Sequence, residues 1–301
     1  MRSITCLLLL IISSWLSAAP ITDAGSQIAM LSEDTQYRES RAAGKWDSLQ
    51  ARKLKLRSKL ALILDESGNE VFSREADSPA AIASITKLMT AMVILDSGLS
   101  LDEKIKITKA DRDLVKLTGS RLKYGATPSR RELIQLALMS SENRAAAALA
   151  RTYPGGKRSF VKAMNIKASA LGMTKSRFTD SVGLDSTNVA SPRDLAKMVT
   201  AAYRYPLIRQ ATTTRQKEVR PYRRKGPLRY GNTNLLLKNE KWNIELSKTG
   251  YINEAGRCLV MQAKIAGEPL VIVLLNSYGK LTPFGDSNRL RQWIESGLNR
   301  S

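Results

Sequence analysis

A serine and a lysine three positions apart, Ser84 and Lys87, stand near the start of the apolar stretch 81–98 (AIASITKLMTAMVILDSG). Residues three apart lie on one face of a helix, one turn from each other, so the Lys87 ammonium can reach the Ser84 hydroxyl. Apolar residues occupy most of the helix circumference, which predicts a helix buried on nearly all sides. Burial lowers the pKa of a lysine, and a neutral lysine is a base that can activate a serine.

The chain contains no histidine, and this absence limits its chemistry. Catalytic sets that join serine or cysteine to histidine are excluded, as are zinc motifs that include histidine. Lysine is therefore the best available base for an activated serine. We expect no metal and no cofactor.

Spacing alone does not mark the pair as catalytic, because S-x-x-K also occurs at Ser120 and Ser159. Both of these lie among charged residues, where the hydroxyl and the ammonium would be solvated and inert. The pattern S-x-N recurs as well, at Ser67, Ser141 and Ser186. K-T-G occurs once, at residues 248–250. Helix capping, a snorkelling lysine or a turn accounts for each motif taken alone, so the informative feature is the ordered set.

The elements that must position this set follow from the hydrophobic pattern. The pattern predicts two strands, at 60–64 and 71–74, that are joined by a turn at 66–69. The Ser84 helix follows them. Residues 99–205 are expected to be mainly helical, with one helix start at 127–129 (TPS). Three strands and a final helix over 287–298 complete the chain. We predict an α/β or α+β fold: a mixed or antiparallel sheet from both chain ends, flanked by helices, with an inserted helical subdomain.

The first residues are typical of an export signal. Residues 1–19 contain Arg2, an apolar run and small residues before a cleavage point near Ala19. The run is shorter than a spanning helix requires, so we expect a periplasmic protein without a transmembrane anchor. Residues 20–57 are expected to form a polar leader and 58–301 the catalytic domain. Only Cys258 would remain after cleavage, which excludes an internal disulfide, and we expect it to be a small core residue.

The chain is strongly basic, with a formal net charge of +21. The export signal carries only Arg2 as a charged residue, so its removal would leave a formal net charge of about +20. Anions are therefore the expected partners. In an exported protein these would be anionic lipid, teichoic acid or peptidoglycan, and not nucleic acid; a merely solubilising charge is the alternative. Residues 204–241 hold eleven Lys or Arg against two Glu and are expected to form a solvated basic loop or hairpin.

Three segments together resemble the penicillin-recognising serine DD-peptidases and serine β-lactamases: SITKLMTAMVILDSG, LMSSENRAAAALARTYPGG and LSKTGYINEAG. They are most similar to the D-alanyl-D-alanine endopeptidases of penicillin-binding protein 7 type, over residues 57–300. The resemblance implies a DD-peptidase or β-lactamase-like fold. It also implies that peptidoglycan is the substrate and that β-lactam antibiotics are covalent inhibitors.

The resemblance further implies a role for each motif residue. Ser84 would form the acyl-enzyme and Lys87 would take its proton. Ser141 would pass that proton to the leaving nitrogen, while Asn143 would bind a substrate amide and fix Lys87. Lys248 would lower the pKa of Lys87 further.

The resemblance implies that the K-T-G strand binds the substrate. Thr249 would hold the carboxylate on the leaving side, and the backbone N–H groups of Ser84 and Tyr251 would form the oxyanion hole. Gly250 belongs to the same strand, along which a substrate peptide could lie as an added strand.

Three other functions stay open at this point: a carboxypeptidase that removes terminal D-alanine, a serine β-lactamase, and a non-enzymatic basic module that docks on the cell wall. A class A β-lactamase would need the glutamate of an E-x-x-x-N segment between S-x-N and K-T-G. The glutamates in that interval lack an asparagine four residues later: Glu218, Glu240 and Glu245.

Two features favour cleavage of cross-linked peptides over trimming of terminal D-alanine. The chain ends at Ser301, directly after its final helix, without the extra domain and amphipathic anchor that are frequent in related carboxypeptidases. Residues 280–286 (KLTPFGD) also place Thr282, Pro283 and Phe284 roughly where several carboxypeptidases carry an arginine. We therefore expect a DD-endopeptidase.

Overall fold

A computed structural model describes residues 44–298. The expected signal over residues 1–19, and most of the polar leader, lie outside the described residues. Within the described residues the chain divides at Ser48: residues 48–298 belong to one compact unit and Gly44–Asp47 to another. In this short segment the Gly44 N–H donates to the Asp47 carboxylate. The compact unit that begins at Ser48 carries every predicted motif.

Seven α-helices and nine strands are present in the part of the chain that the structure describes. The helices are α1 (Thr86–Asp96), α2 (Arg130–Met139), α3 (Asn143–Arg151), α4 (Gly156–Ala170), α5 (Pro192–Tyr203), α6 (Pro206–Thr213) and α7 (Thr282–Leu298). The strands are β1 (Leu60–Asp65), β2 (Glu70–Arg74), β3 (Ala80–Ala81), β4 (Val189–Ala190), β5 (Gln216–Val219), β6 (Leu228–Gly231), β7 (Asn243–Ile252), β8 (Gly256–Ile265) and β9 (Glu268–Ser277).

The main sheet draws its strands from both ends of the compact unit, in the order β2-β1-β9-β8-β7. Every neighbouring pair is antiparallel, and β1 pairs with β9 from Leu60 opposite Leu275 to Asp65 opposite Leu270. Six consecutive residues of β9 are buried, which requires cover on both faces of the sheet. The predicted α+β architecture, with an antiparallel sheet built from both chain ends, is confirmed.

The motif helix begins as a 3-10 turn over Ala83–Ile85 and continues as α1. Residues 86–94 of α1 are all buried, against α2, α3, α4 and α5. The prediction of a helix buried on nearly all sides is confirmed. Such a helix holds its side chains in fixed rotamers, which makes it a rigid platform for the serine and lysine.

Other local signals also correspond to observed elements. Ser129 caps α2 in a capping box: its hydroxyl accepts from the Glu132 N–H, and the Glu132 carboxylate accepts from the Ser129 N–H. Ser191 caps α5 and accepts from the N–H of Asp194. The expected helix start at 127–129 is therefore confirmed.

Three element predictions were wrong. Residues 99–129 contain only a 3-10 turn at Lys109–Asp111 and no α-helix, because polar side chains such as Asp113 hold the loop by bonding its backbone N–H groups. The basic segment 204–241 is not all loop or hairpin, because its first part forms α6, which contains the buried apolar residues Ile208 and Ala211. The final helix begins at Thr282 and not at 287, with Pro283 in its first turn.

Asp286, in this added first turn, joins the two ends of the compact unit. Its carboxylate accepts from the N–H groups of Arg57 and Ser58 and from the Ser58 hydroxyl, at 2.6–3.1 Å. No local pattern in the sequence indicates this long-range role. It explains why a segment containing glycine and proline is helical.

Candidate active site

Lys87 lies at the centre of a compact hydrogen-bonded group. Its Nζ is 2.7 Å from Ser84 Oγ and donates to Asn143 Oδ1 at 2.9 Å and to the Val182 carbonyl at 2.7 Å. The Lys87 side chain is fully buried and Ser84 is 8% exposed. The structure thus brings together Ser84 and Lys87 from one motif and Asn143 from the next.

The three partners of Lys87 suit a neutral amine. The amide oxygen of Asn143 and the carbonyl oxygen of Val182 can only accept, and they use the two hydrogens of an uncharged –NH2 group. The remaining lone pair then points to Ser84, whose hydroxyl can donate to it. This arrangement is the one required for lysine to remove the serine proton.

Burial lowers the pKa of Lys87 from its ordinary value of 10.5 to about 7. The carboxylates of Asp180, Glu142 and Asp113 oppose this effect by favouring the charged form. At about 1.36 kcal/mol per pKa unit, the site favours the neutral amine by about 5 kcal/mol relative to a lysine in water. A substantial fraction of Lys87 is therefore unprotonated at neutral pH.

This pKa predicts the pH dependence of serine acylation. The base must be neutral, so the rate of acylation by penicillin should rise about tenfold per pH unit below pH 7 and level off above it. Stopped-flow measurement of acylation between pH 5 and pH 9 checks this. A rate that stays flat across that range, or that keeps rising up to pH 9, would contradict Lys87 as the base.

The second motif places Ser141 beside a second buried lysine. Lys248 Nζ donates to Ser141 Oγ at 3.1 Å and to the Thr249 carbonyl at 2.7 Å, and the Lys248 side chain is 1% exposed. Burial, followed by repulsion from Lys87, lowers the pKa of Lys248 well below its ordinary value. Burial, and not Lys248, is the main cause of the lowered pKa of Lys87.

Two residues of the site that are not glycine have a positive φ, a backbone conformation that costs free energy in residues with a side chain. Ser141, between α2 and α3, has φ +58°, and Ala83, directly before Ser84, has φ +47°. Each such residue costs on the order of 1 kcal/mol and persists only where its surroundings fix it. Both turns set the direction of a site hydroxyl, that of Ser141 and that of Ser84.

The third motif lies on β7, directly against the turn that bears Ser84. A Cβ on Gly250 would come within 2.9 Å of the Ile82 carbonyl and 3.1 Å of the Ser84 nitrogen, so only glycine allows this approach. Thr249 Oγ1 donates to Thr233 Oγ1 at 2.6 Å. Tyr251, the next residue, is 45% exposed. In the described sheet β7 is an edge strand, open to pairing with a peptide.

The turn at 180–185 supplies a direct partner of Lys87. The Asp180 carboxylate accepts from the N–H groups of Val182, Gly183 and Asp185 and so holds the Val182 carbonyl in place. Gly183 has φ +80°, and a Cβ there would lie 2.0 Å from the Ala83 carbonyl. An Asp-x-x-Gly spacing signals a turn, but nothing in the sequence pairs this turn with Lys87.

Sequence reasoning also missed the residues that orient Asn143. Its Nδ2 donates to Thr118 Oγ1 at 2.8 Å, and the Thr118 hydroxyl and N–H donate to the Asp113 carboxylate at 2.7 Å. Because Nδ2 is committed to Thr118, the amide oxygen faces Lys87. The irregular loop 112–118 is therefore part of the site's support.

These residues line an open cleft of about 410 Å³. Its walls include Ser84, Ser141, Asn143, Thr233, Thr249, Tyr251, Arg257 and Lys280. The Arg257 guanidinium carbon lies 3.5 Å from the centre of the Tyr251 ring, and its buried Nε has no hydrogen-bond partner among the described residues. Arg257 was not singled out from the sequence. Its pairing with Tyr251 across β7 and β8 becomes visible only with the strand register.

Cys258 also borders the cleft but is 1% exposed. Burial raises the pKa of its thiol to about 11, which keeps it protonated and a poor nucleophile. Among residues 44–298 no cluster of three or more metal-ligating side chains occurs. In the same range, no helix has the length and apolar character needed to cross a membrane.

Comparisons with known proteins agree with this geometry. The D-alanyl-D-alanine carboxypeptidase family matches residues 47–279. A D-alanyl-D-alanine endopeptidase of Pseudomonas aeruginosa is 49% identical over 243 residues, covering 80% of this chain and 78% of that protein. One of Escherichia coli is 47% identical over 238 residues, covering 79% and 77%.

The fold is likewise similar to that of a solved DD-transpeptidase. The crystal structure of a Streptomyces DD-transpeptidase superposes with a TM-score of 0.75 at 27% identity, over 81% of this chain and 99% of that one. The family match covers well over half of the chain, and both endopeptidases exceed 30% identity over most of it. This chain belongs to the D-alanyl-D-alanine carboxypeptidase family of serine DD-peptidases.

Proposed function

We propose that this protein is an exported serine DD-peptidase that hydrolyses D-alanyl cross-bridges of peptidoglycan. The observation that carries the proposal is the buried Lys87 amine, 2.7 Å from Ser84 Oγ and bonded to two pure acceptors. A basic lysine beside a serine on a rigid helix supports acyl transfer without histidine. The family membership supports a D-alanyl-D-alanine bond as the target.

Acylation begins when Ser84 Oγ attacks the carbonyl carbon of the D-alanyl residue while Lys87 takes the hydroxyl proton. The carbonyl oxygen becomes an oxyanion, which the N–H groups of Ser84 and Tyr251 stabilise. Collapse of this intermediate breaks the C–N bond. The leaving nitrogen gains a proton from Lys87 through Ser141, and the D-alanyl group remains as an ester on Ser84.

Deacylation reverses this sequence with water in place of the amine. Lys87, neutral again, removes a proton from the water as it attacks the ester carbonyl, and the Ser84 oxygen leaves with that proton. Penicillin acylates the same hydroxyl but leaves a bulky group attached to the adduct. No glutamate of the E-x-x-x-N type stands between the second and third motifs to activate water on it. The adduct is therefore long-lived.

Substrate recognition uses the K-T-G strand and the second motif. The peptide on the acyl side pairs with the exposed edge of β7. Asn143 binds a substrate amide, and Thr249 binds the carboxylate next to the scissile nitrogen. Lys248, buried behind them, donates to the Ser141 hydroxyl and so fixes its position at this end of the cleft.

Export to the periplasm is supported by the export signal at residues 1–19 and by the substrate, which lies outside the cytoplasmic membrane. The residues from 20 to 47 lie between this export signal and the compact unit that begins at Ser48. The cross-link, and not the terminal D-alanine, is the proposed target. Relatives at 49% and 47% identity are named endopeptidases, whereas those named carboxypeptidases are 28–31% identical.

Product analysis tests the choice of bond. We expect purified enzyme to convert cross-linked muropeptide dimers to monomers faster than it removes D-alanine from free pentapeptide. Liquid chromatography and mass spectrometry of both reactions, run with equal enzyme and with Ser84→Ala as the blank, provide the comparison. If pentapeptide is trimmed faster and dimers persist, the enzyme is a carboxypeptidase, and the proposed chemistry of Ser84 and Lys87 is unaffected.

A further inference from the structure

A basic surface lies beside the cleft, on the hairpin formed by β5, β6 and the turn between them. We call residues 215–231 the basic hairpin. It carries seven cationic side chains, six of them exposed and Lys217 half-buried, against one acid: Arg215, Lys217, Arg220, Arg223, Arg224, Lys225 and Arg229, with Glu218. The sequence predicted a basic loop or hairpin in this region, but the mechanism above makes no use of it.

The basic hairpin is fixed to the loop that follows Thr118. The N–H of Lys123 donates to the Tyr222 hydroxyl at 2.8 Å, and the N–H of Thr127 donates to the Pro221 carbonyl at 2.8 Å. The Arg121 guanidinium stacks on the Tyr230 ring, with its carbon 4.0 Å from the ring centre. Arg121 and Lys123 are exposed, so the loop adds two cations to a surface of defined shape.

Few of these charges are neutralised within the protein. Glu218 lies 3.5 Å from Arg220 and 3.3 Å from Arg229. Arg223, Arg224 and Lys225, at the tip, have no acidic partner within salt-bridge distance among the described residues. Uncompensated like charges repel each other, so a solubilising role would favour scattered cations. A concentrated cluster favours a ligand with repeated negative charge.

The position of the basic hairpin connects it to the cleft at two points. Asn232 and Thr233 follow β6 directly, and both line the cleft, where Thr233 accepts from Thr249. Thr118, at the start of the supporting loop, also lines the cleft and bonds Asn143. A polymer held on the basic hairpin is therefore held next to the cleft that contains Ser84.

We propose that the basic hairpin binds peptidoglycan itself, through the free carboxylates of its stem peptides, and so retains the enzyme on its insoluble substrate. This inference rests on the proposed function. Repeated carboxylates on a network match a surface that presents several unpaired cations, and many weak contacts together give strong retention. The contact lies outside the cleft and does not take part in bond cleavage.

The alternative of a membrane surface is less well supported. Stable binding at a lipid interface needs apolar side chains that insert among the acyl chains. Within the basic hairpin no large apolar side chain is exposed: Val219 and Tyr230 are buried, and Leu228 and Tyr222 are half-buried. The basic hairpin itself therefore offers charge without an apolar side chain that could insert into a membrane.

Charge reversal at the tip tests the proposal. The variant Arg223→Glu, Arg224→Glu, Lys225→Glu is compared with Lys53→Glu, Lys55→Glu, Lys59→Glu, which changes the same charge at three exposed lysines outside the hairpin. Both are made in a Ser84→Ala background, so that the sacculi remain intact during co-sedimentation. We expect the tip variant to bind purified sacculi at least tenfold more weakly than the control. Equal binding by the two variants would overturn the proposal.

A second measurement uses the unaltered tip and sacculi whose carboxylates have been converted to amides with carbodiimide and ammonia. Binding of the Ser84→Ala protein should fall at least tenfold on amidated sacculi, and binding to untreated sacculi should weaken as salt rises. Retention on amidated sacculi, or tip-dependent binding confined to anionic phospholipid vesicles, would contradict peptidoglycan carboxylates as the ligand.

Activity measurements separate this inference from the proposed function. With Ser84 restored, the tip variant should be acylated by penicillin and should cleave soluble dimers at wild-type rates, but it should digest sacculi at least fivefold more slowly. Failure of the wild type on soluble dimers would count against the proposed function alone. Equal digestion of sacculi by the tip variant and the wild type would count against the basic hairpin alone.

Discussion

Replacing Ser84 by alanine should reduce hydrolysis of cross-linked muropeptide dimers by about 10⁴-fold or more. The substitution removes the atom that forms the ester, and loss of the nucleophile in serine peptidases costs up to about 10⁶-fold. Ser84 is buried on the 3-10 turn before α1, and alanine fills the same space without its hydroxyl, so the fold should be retained. Timed chromatography of dimers and monomers measures the loss.

The matched control is Ser159→Ala, which removes the serine of another S-x-x-K sequence. Ser159 lies on α4 and its motif partner Lys162 is exposed, so this change should leave the rate within about twofold of wild type. If Ser84→Ala keeps more than a tenth of the wild-type rate, the nucleophile is another residue. Equal losses in both variants would indicate general destabilisation in place of lost chemistry.

Replacing Lys87 by arginine should slow acylation by penicillin by about 10²- to 10⁴-fold, the usual contribution of a general base. A guanidinium stays protonated throughout the accessible pH range, so it cannot accept the Ser84 proton. Raising the pH to 9 should not restore the rate, whereas the wild type should level off above pH 7. Burst kinetics with a chromogenic penicillin, recorded from pH 6 to pH 9, provide the measurement.

The control for this substitution is Lys162→Arg, which makes the same exchange at the lysine of the Ser159 motif. Lys162 is exposed on α4, so its replacement should leave acylation unchanged. An arginine variant at position 87 that acylates within tenfold of wild type would contradict the role of base. It would point to a purely structural function of the buried cation.

Local patterns in the sequence were enough to predict the central elements. The apolar run over α1 and the apolar runs in the last three strands each indicate a buried element by themselves. The order of the three motifs indicated that the S-x-x-K sequence at Ser84 is the catalytic one. Because the chain has no histidine, Lys87 is the best available base.

The residues that complete the site could not be found in the same way. Val182, Thr118 and Asp180 act through a backbone carbonyl, a hydroxyl and a turn, all of which are common features of loops. Their contacts join positions far apart in the chain, such as Lys87 and Val182, 95 residues apart. A pattern within a short window carries no information about such pairs, which only the folded loops bring together.

The shape of the basic segment was missed for a related reason. The many cations in 204–241 suggested solvated loop, but α6 has a buried face that contains Ile208, Ala211 and Thr212. Pro206 begins this helix, where its missing N–H is not needed. The prediction of a loop rested on the density of charge in this segment. The structure depends instead on burial of the apolar face of this short helix.

Mapping the penicillin adduct by mass spectrometry tests the central chemistry most directly. Wild-type protein is incubated with penicillin, digested, and the peptide that carries the added penicilloyl mass is fragmented. The buried serine beside a lysine with a pKa of about 7 predicts one long-lived adduct, on Ser84, that is absent from Lys87→Arg at short times. An adduct on Ser141 or another residue, or rapid hydrolysis that leaves no adduct at all, would contradict it.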